Sequence, residues 1–68
     1  MKEQMIDVLM HDAESKINLA KMNVWVLLHN PVGVGDHPNI METIQEQLDI
    51  ISKHKDRIST LMDISNED

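Results

Sequence analysis

Apolar residues in the first half of the chain recur at alternating intervals of four and three residues, from residue 6 to residue 27. In an α-helix this spacing places all of them on one face and forms an unbroken heptad pattern. The pattern predicts a helix over about residues 3–29. Its predicted seam consists of Ile6, Met10, Ala13, Ile17, Ala20, Val24 and Leu27. Alanine at two seam positions would allow a neighbouring helix to approach closely.

A short buried strand is the alternative for residues 23–29, because residues 24–28 form an uninterrupted apolar run that contains two β-branched valines. The heptad rhythm of residues 6–20 continues through this stretch, however, and so favours the helix.

The second half of the chain shows a similar rhythm and predicts a helix over about residues 37–64, followed by a frayed acidic tail at 65–68. The predicted seam consists of Met41, Ile44, Leu48, Ile51, Ile58 and Met62. Lys55 occupies the slot between Ile51 and Ile58, while Ile40, His54 and Leu61 lie beside the row. The apolar stripe is therefore broad and has a polar interruption about halfway along.

Both glycines and both prolines of the chain lie between these two segments, which predicts a loop over residues 30–36. Asparagine followed by proline ends a helix, glycines allow the chain to reverse, and an Asp or Asn can cap the next helix. Asn39 followed by Glu42 also has capping-box spacing. The residues with these turn and cap properties are Asn30, Pro31, Gly33, Gly35, Asp36 and Pro38.

Two helices of similar length joined by a short loop predict an all-α, antiparallel helical hairpin that forms one domain over residues 1–68. A chain of this size buries only about 60% of its unfolded surface, and the chain contains no cysteine to reinforce so thin a core. Wide stripes on both helices would also leave apolar surface in water. We therefore expect a homodimer or higher homo-oligomer, with the dimer forming a four-helix bundle with coiled-coil packing.

The charge distribution argues against several partners. The net charge is −6, and residues 30–68 carry eight acids against three bases. Such a surface repels phosphate backbones, so we expect no nucleic-acid partner. The longest apolar run, residues 24–28, is far shorter than the roughly 20 residues of a membrane span, and acids lie where a signal peptide would be apolar. These features predict an intracellular protein that is neither secreted nor membrane-bound.

Candidate chemistry is sparse. His11 and Glu14 have the spacing of a carboxylate-bridged metal pair, but His11 should point outward; His29 and His37 flank the loop without a third ligand. Two loop glycines without the rest of a phosphate-binding motif favour a plain turn. Trp25 is expected at the periphery of the core or in a dimer contact. We expect no catalytic residue, no metal site and no cofactor.

Two resemblances are visible. The loop and its continuation, residues 30–42, followed by Gln47, Leu48 and Asp49, resemble small uncharacterised helical-hairpin proteins of T4-like marine bacteriophages and ocean metagenomes. That resemblance implies no known activity. Residues 44–49 also resemble the Ser-Gln-Glu-Leu-Asp signature of Spo0E-like aspartyl-phosphate phosphatases, although the serine is missing and a glutamine is inserted.

The expected function is that of a non-enzymatic, self-associating hairpin, such as a phage-type accessory, scaffold or protein-interaction module. The alternative, implied by the second resemblance, is a Spo0E-like phosphatase that acts on a response regulator.

Overall fold

The computed structural model describes residues 1–29 and 39–67, which form two α-helices: α1 (Lys2–His29) and α2 (Ile40–Asn66). The helices are antiparallel, because Asn23 is hydrogen-bonded to Gln47 near one end and Met1 shares a groove with Ser65 near the other. The predicted all-α helical hairpin is confirmed. Residues 23–29 are helical to the end of α1, so the strand alternative is wrong.

The predicted seam of α1 faces α2 throughout. Ala13, Ile17 and Ala20 are buried at its centre, and the seam residues on either side of them are half-buried. The two alanines have no more than 2% of their surface exposed. Because a methyl group is so short, the backbones approach closely here, and the space left for larger side chains is small.

The face that α2 turns toward α1 differs from the predicted row at every second position. Ile44, Ile51 and Ile58 lie inward and are half-buried, as are Ile40 and Leu61. The alternate positions between them are filled by two polar residues, Gln47 and His54.

Met41, Leu48 and Met62 consequently lie outside the seam of the single hairpin, on its flank, where they are exposed. The physical reason lies at residues 54 and 55. Turning the predicted row inward would also turn Lys55 inward, and a buried ammonium is far more costly than a histidine, which can remain neutral. Any role of the three residues in an oligomer stays a prediction.

Each end of α2 differs from the prediction made from the sequence. Asn39 occupies the N-cap position, but its side chain makes no capping hydrogen bond. The amide and the hydroxyl of Thr43 instead both donate to the carbonyl oxygen of Asn39, at 2.9 and 3.1 Å. At the other end the helix includes Ser65 and Asn66 from the predicted tail.

The predicted loop, with Asn30, Pro31, Gly33, Gly35, Asp36 and Pro38, lies outside the described residues. So do His37 and the predicted start of the second helix at residue 37.

The hairpin is a thin rod of 54 × 15 × 13 Å. Its accessible surface is 5438 Å². A globular monomer of 7.8 kDa exposes about 4400 Å², so the hairpin exposes roughly 1000 Å² more than its mass requires. In the part of the chain that the structure describes, three apolar residues are buried and form a core of very small volume, and the excess surface includes many large apolar side chains.

Candidate functional site

The outer side of α1 carries a second apolar row, which we call the outer stripe. It follows the same four-and-three spacing as the seam, but on the opposite side of the helix. Two polar residues, Asp12 and Ser15, interrupt it at its centre. Its apolar members are Met1, Met5, Val8, Leu19, Met22 and Val26, all of them exposed in the hairpin.

Met1 precedes the first helical residue, but its carbonyl oxygen accepts a hydrogen bond from the amide of Met5 at 3.0 Å, so the helical path already includes it. Two shallow, largely apolar depressions lie along this side of α1, one beside Met5 and Val8 and the other beside Met22 and Trp25. Each of the two apolar ends of the outer stripe therefore has a shallow hollow beside it, where side chains of a partner could pack.

Trp25 lies beside the C-terminal end of the outer stripe. Its indole stacks on the ring of His29, with ring centroids 4.0 Å apart and an angle of 20° between the ring planes. Nδ1 of His29 donates to the carbonyl oxygen of Trp25 at 2.9 Å, which holds the imidazole over the indole. Trp25 remains 59% exposed, so the hairpin presents a fixed aromatic surface to solvent rather than burying it.

The outer side of α2 has the opposite character. Four carboxylates occur at intervals of seven residues and thus form one exposed line along the helix: Glu42, Asp49, Asp56 and Asp63. A second copy of this surface would be repelled by the first. The exposed apolar side chains of α2 lie instead on its two flanks, with Met41, Leu48 and Met62 on one flank.

A polar groove of about 450 Å³ runs between the two helices on the other flank. Its cationic lining comes from Lys16 on α1 and from Lys53 and Arg57 on α2. The Asn23 amide donates to the Gln47 side-chain oxygen at 3.1 Å across the groove, and this bond ties the helices together. The groove collects three of the six lysine and arginine residues of an acidic chain, so it can attract an anion.

His54 forms the floor of this groove and is only 6% exposed. Its Nδ1 atom is buried and has no hydrogen-bond partner among the described residues. Burial lowers the pKa of the imidazole below its ordinary value of 6.5, and the positive charges of Arg57, Lys16 and Lys53 act in the same direction, with Asp12 opposing them. His54 is consequently held in its neutral form, and its unsatisfied nitrogen weakens the seam.

Asp12 links the outer stripe to the groove. The Lys16 ammonium lies 2.9 Å from its carboxylate, one helical turn away. The hydrogen bond from Lys16 lowers the pKa of Asp12 below 3.8; desolvation opposes this shift, and the positive charges of Lys16 and Arg57 assist it. The carboxylate of Asp12, one of the two polar residues that interrupt the outer stripe, is thus already paired with a cation of its own chain.

The other residues considered for chemistry are scattered. Nδ1 of His11 donates to the carbonyl oxygen of Asp7 at 3.1 Å, and the imidazole faces solvent, as expected. Within residues 1–29 and 39–67, no three His, Cys, Asp or Glu side chains converge as a metal site requires. In the stretch that resembles the phosphatase signature, Gln47 is turned toward Asn23 and Asp49 belongs to the exposed acidic line.

The outer stripe is the surface that the sequence reasoning missed, although its spacing is visible in the sequence. Residues 1, 5 and 8 and residues 19, 22 and 26 fit one heptad register, but two polar positions separate the groups. Once the seam at residues 6–27 had been assigned, the remaining apolar residues could be taken for its margins. A test of α1 for two apolar rows rather than one would have found it.

Neither helix of the described part is long and apolar enough to cross a membrane. Comparison with known proteins finds no matching family model, no matching curated protein and no matching solved structure.

Proposed function

We propose that this protein is a non-enzymatic helical hairpin that works by self-association, with two copies forming a four-helix assembly inside the cell. The observation that supports this proposal is the outer stripe: a row of six large apolar side chains on α1 that the fold of one chain leaves exposed. Monomeric soluble proteins rarely keep so long an apolar surface in water, and an exposed patch of this kind marks a binding surface.

The size of the core supports the same proposal. A hairpin buries one seam, and here the centre of that seam holds two alanines and a histidine with an unsatisfied nitrogen. Small domains without disulfides or metals commonly gain the missing stability from association. A second copy would also cover part of the accessible surface that the hairpin has in excess of a globular monomer of the same mass.

The apolar side chains of the outer stripe can account for a dimer of moderate affinity. Completing the burial of a side chain that is already partly covered contributes roughly 1 kcal/mol, so twelve such side chains in two copies contribute about 12 kcal/mol. An association cost of at least about 4 kcal/mol opposes this gain, so at most about 8 kcal/mol remains, and the dissociation constant is expected at about 1 μM or weaker.

A scaffold or accessory role agrees with this proposal, because such a role needs an assembly surface and no reactive group. The distribution of charge fits it as well. The acidic line of α2 lies on the side away from the outer stripe, where it keeps the assembled particle soluble and discourages further stacking.

Sedimentation velocity from about 0.1 to 100 μM tests the proposal, since this range spans the expected dissociation constant. The expected result is a concentration-dependent shift from one hairpin to two, accompanied by a rise in thermal stability. A cooperatively folded protein that sediments as a single hairpin at every concentration would contradict it.

A further inference from the structure

We infer that the two copies meet through α1 in an antiparallel contact, with a twofold axis that passes between Ala13 and Glu14. This inference rests on the proposed self-association, and it adds the helix, the direction and the register of the contact. It comes from the symmetry of the outer stripe about its own centre.

The outer stripe reads the same from either end. Its positions 1, 5, 8, 12, 15, 19, 22 and 26 are separated by intervals of 4, 3, 4, 3, 4, 3 and 4 residues. Apolar side chains fill the three positions at each end, and polar side chains fill the two at the centre. In a twofold contact, residue i of one copy meets residue j of the other and residue j meets residue i, so a stripe with this symmetry is complementary to itself in reverse.

Reversing one copy pairs each position i with position 27 − i. The layers that result pair Met1 with Val26, Met5 with Met22, Val8 with Leu19 and Asp12 with Ser15. Every apolar side chain faces an apolar one. The polar layers also match, because the Ser15 hydroxyl of one copy can donate to the Asp12 carboxylate of the other.

Other arrangements lose this match. A parallel pair in register would place the two Asp12 carboxylates against each other within an apolar contact. An antiparallel pair shifted by one heptad would place Asp12 opposite Met22 and would leave Met1 without an apolar partner. The carboxylate thus selects direction and register, as a single polar residue does in the core of a coiled coil.

The margins of the contact are free of repulsion in this register. In an antiparallel helix pair, equivalent flanking positions meet across the contact. Lys2 then lies near Asn23 of the other copy, Leu9 near Lys16, Gln4 near Trp25 and His11 near Asn18. No pair brings together two charges of the same sign at neutral pH. A contact between the acidic lines of two α2 helices would not be free of repulsion, since it would place carboxylates of one copy against carboxylates of the other.

The arrangement also sets the order of the helices. The outer stripe and the seam are centred on directions about 140° apart around the α1 axis, at 100° per residue. The two α1 helices therefore lie in the middle, with one α2 helix on each outer side. The acidic lines of α2 remain open to solvent.

Disulfide cross-linking can test the register, because the chain contains no cysteine of its own. The probes are two single variants, Val8→Cys and Leu19→Cys, treated with a mild thiol oxidant separately and as an equimolar mixture. The mixture is expected to yield a disulfide between one chain of each kind. Neither variant alone should cross-link, since identical positions lie 11 residues, or about 16 Å, apart along the axis, beyond the reach of a disulfide.

A second pair, Met5→Cys with Met22→Cys, should behave in the same way and guards against a loss of association in either member of the first pair. The matched controls are Ser52→Cys and Ser59→Cys, which are exposed on the polar side of α2 and should remain uncross-linked. Sedimentation of the reduced variants at the same concentrations shows whether each preparation is dimeric.

Efficient cross-links within each single variant would indicate parallel helices and overturn the inference. Dimers that give no cross-link in either mixture, or that cross-link through the α2 controls, would also overturn it, while self-association itself would stand. A protein that stays monomeric would refute the proposed function and this inference together.

Discussion

Truncation of Leu19 to alanine gives a quantitative test of the outer stripe. The change removes three carbon groups, worth about 2.4 kcal/mol when fully buried. Leu19 is 65% exposed in the hairpin, so only about a third of that contribution, roughly 0.8 kcal/mol, stabilises the single chain. The remaining 1.6 kcal/mol or so is gained only when a second copy covers the side chain.

A dimer contains this position twice, so Leu19→Ala should weaken association by about 3 kcal/mol. That change raises the dissociation constant by a factor of roughly 150. Sedimentation equilibrium, recorded for wild type and variant over the same concentration series, measures the shift. Circular dichroism of each sample at the lowest concentration shows whether the hairpin itself remains helical.

Leu48→Ala is the matched control, because it removes the same atoms from a side chain that is 48% exposed on the flank of α2. Association through α1 predicts an unchanged dissociation constant for this variant. If Leu48→Ala weakened association and Leu19→Ala did not, the copies would meet through α2, and the reasoning from the outer stripe would be refuted. Equal weakening by both would indicate a contact that includes both helices.

Three further predictions concern the seam. Ile17→Ala should lower the free energy of unfolding by about 2–5 kcal/mol in chemical denaturation, because Ile17 is the largest buried apolar side chain; full stability after this change would contradict the assigned core. Ala20→Glu should unfold the protein at a cost of about 3 kcal/mol or more by burying an unpaired carboxylate, and a wild-type circular dichroism spectrum and melting temperature would exclude this. Because the folded-state pKa of His54 lies below 6.5, wild type should lose stability as pH falls below 6.5. His54→Leu should melt at a higher temperature and lose less stability as pH falls. An unchanged pH profile, compared with His11→Leu as the exposed control, would count against a neutral buried His54.

The helix of residues 2–29 was accessible to sequence reasoning because heptad spacing is a local property. Seven seam residues at regular intervals identify one buried face whatever that face packs against. The polar outer face of α2 is equally visible, since carboxylates seven residues apart must share one side of a helix.

The rotation of α2 about its axis was not accessible in the same way. Ile44, Ile51 and Ile58 fit two overlapping rows, one that contains His54 and one that contains Lys55. Residues 54 and 55 are adjacent and lie about 100° apart around the helix axis, so a rotation of α2 by less than 100° exchanges one row for the other. Helix propensity and residue spacing favour neither row strongly. The choice depends on which polar side chain, His54 or Lys55, costs less free energy when it is packed against the buried residues of α1.

By itself, the sequence determined that this chain forms two helices separated by a Pro- and Gly-containing stretch, because periodicity and helix-breaking residues act over a few neighbours. Only the tertiary structure decided which residues of α2 turn inward and which apolar row of α1 stays exposed. Those outcomes depend on the cost of burying an ammonium against that of burying an imidazole, and on the single seam available to a pair of helices. The side of α1 left without a partner is a property of the packed hairpin, and the proposed self-association depends on it.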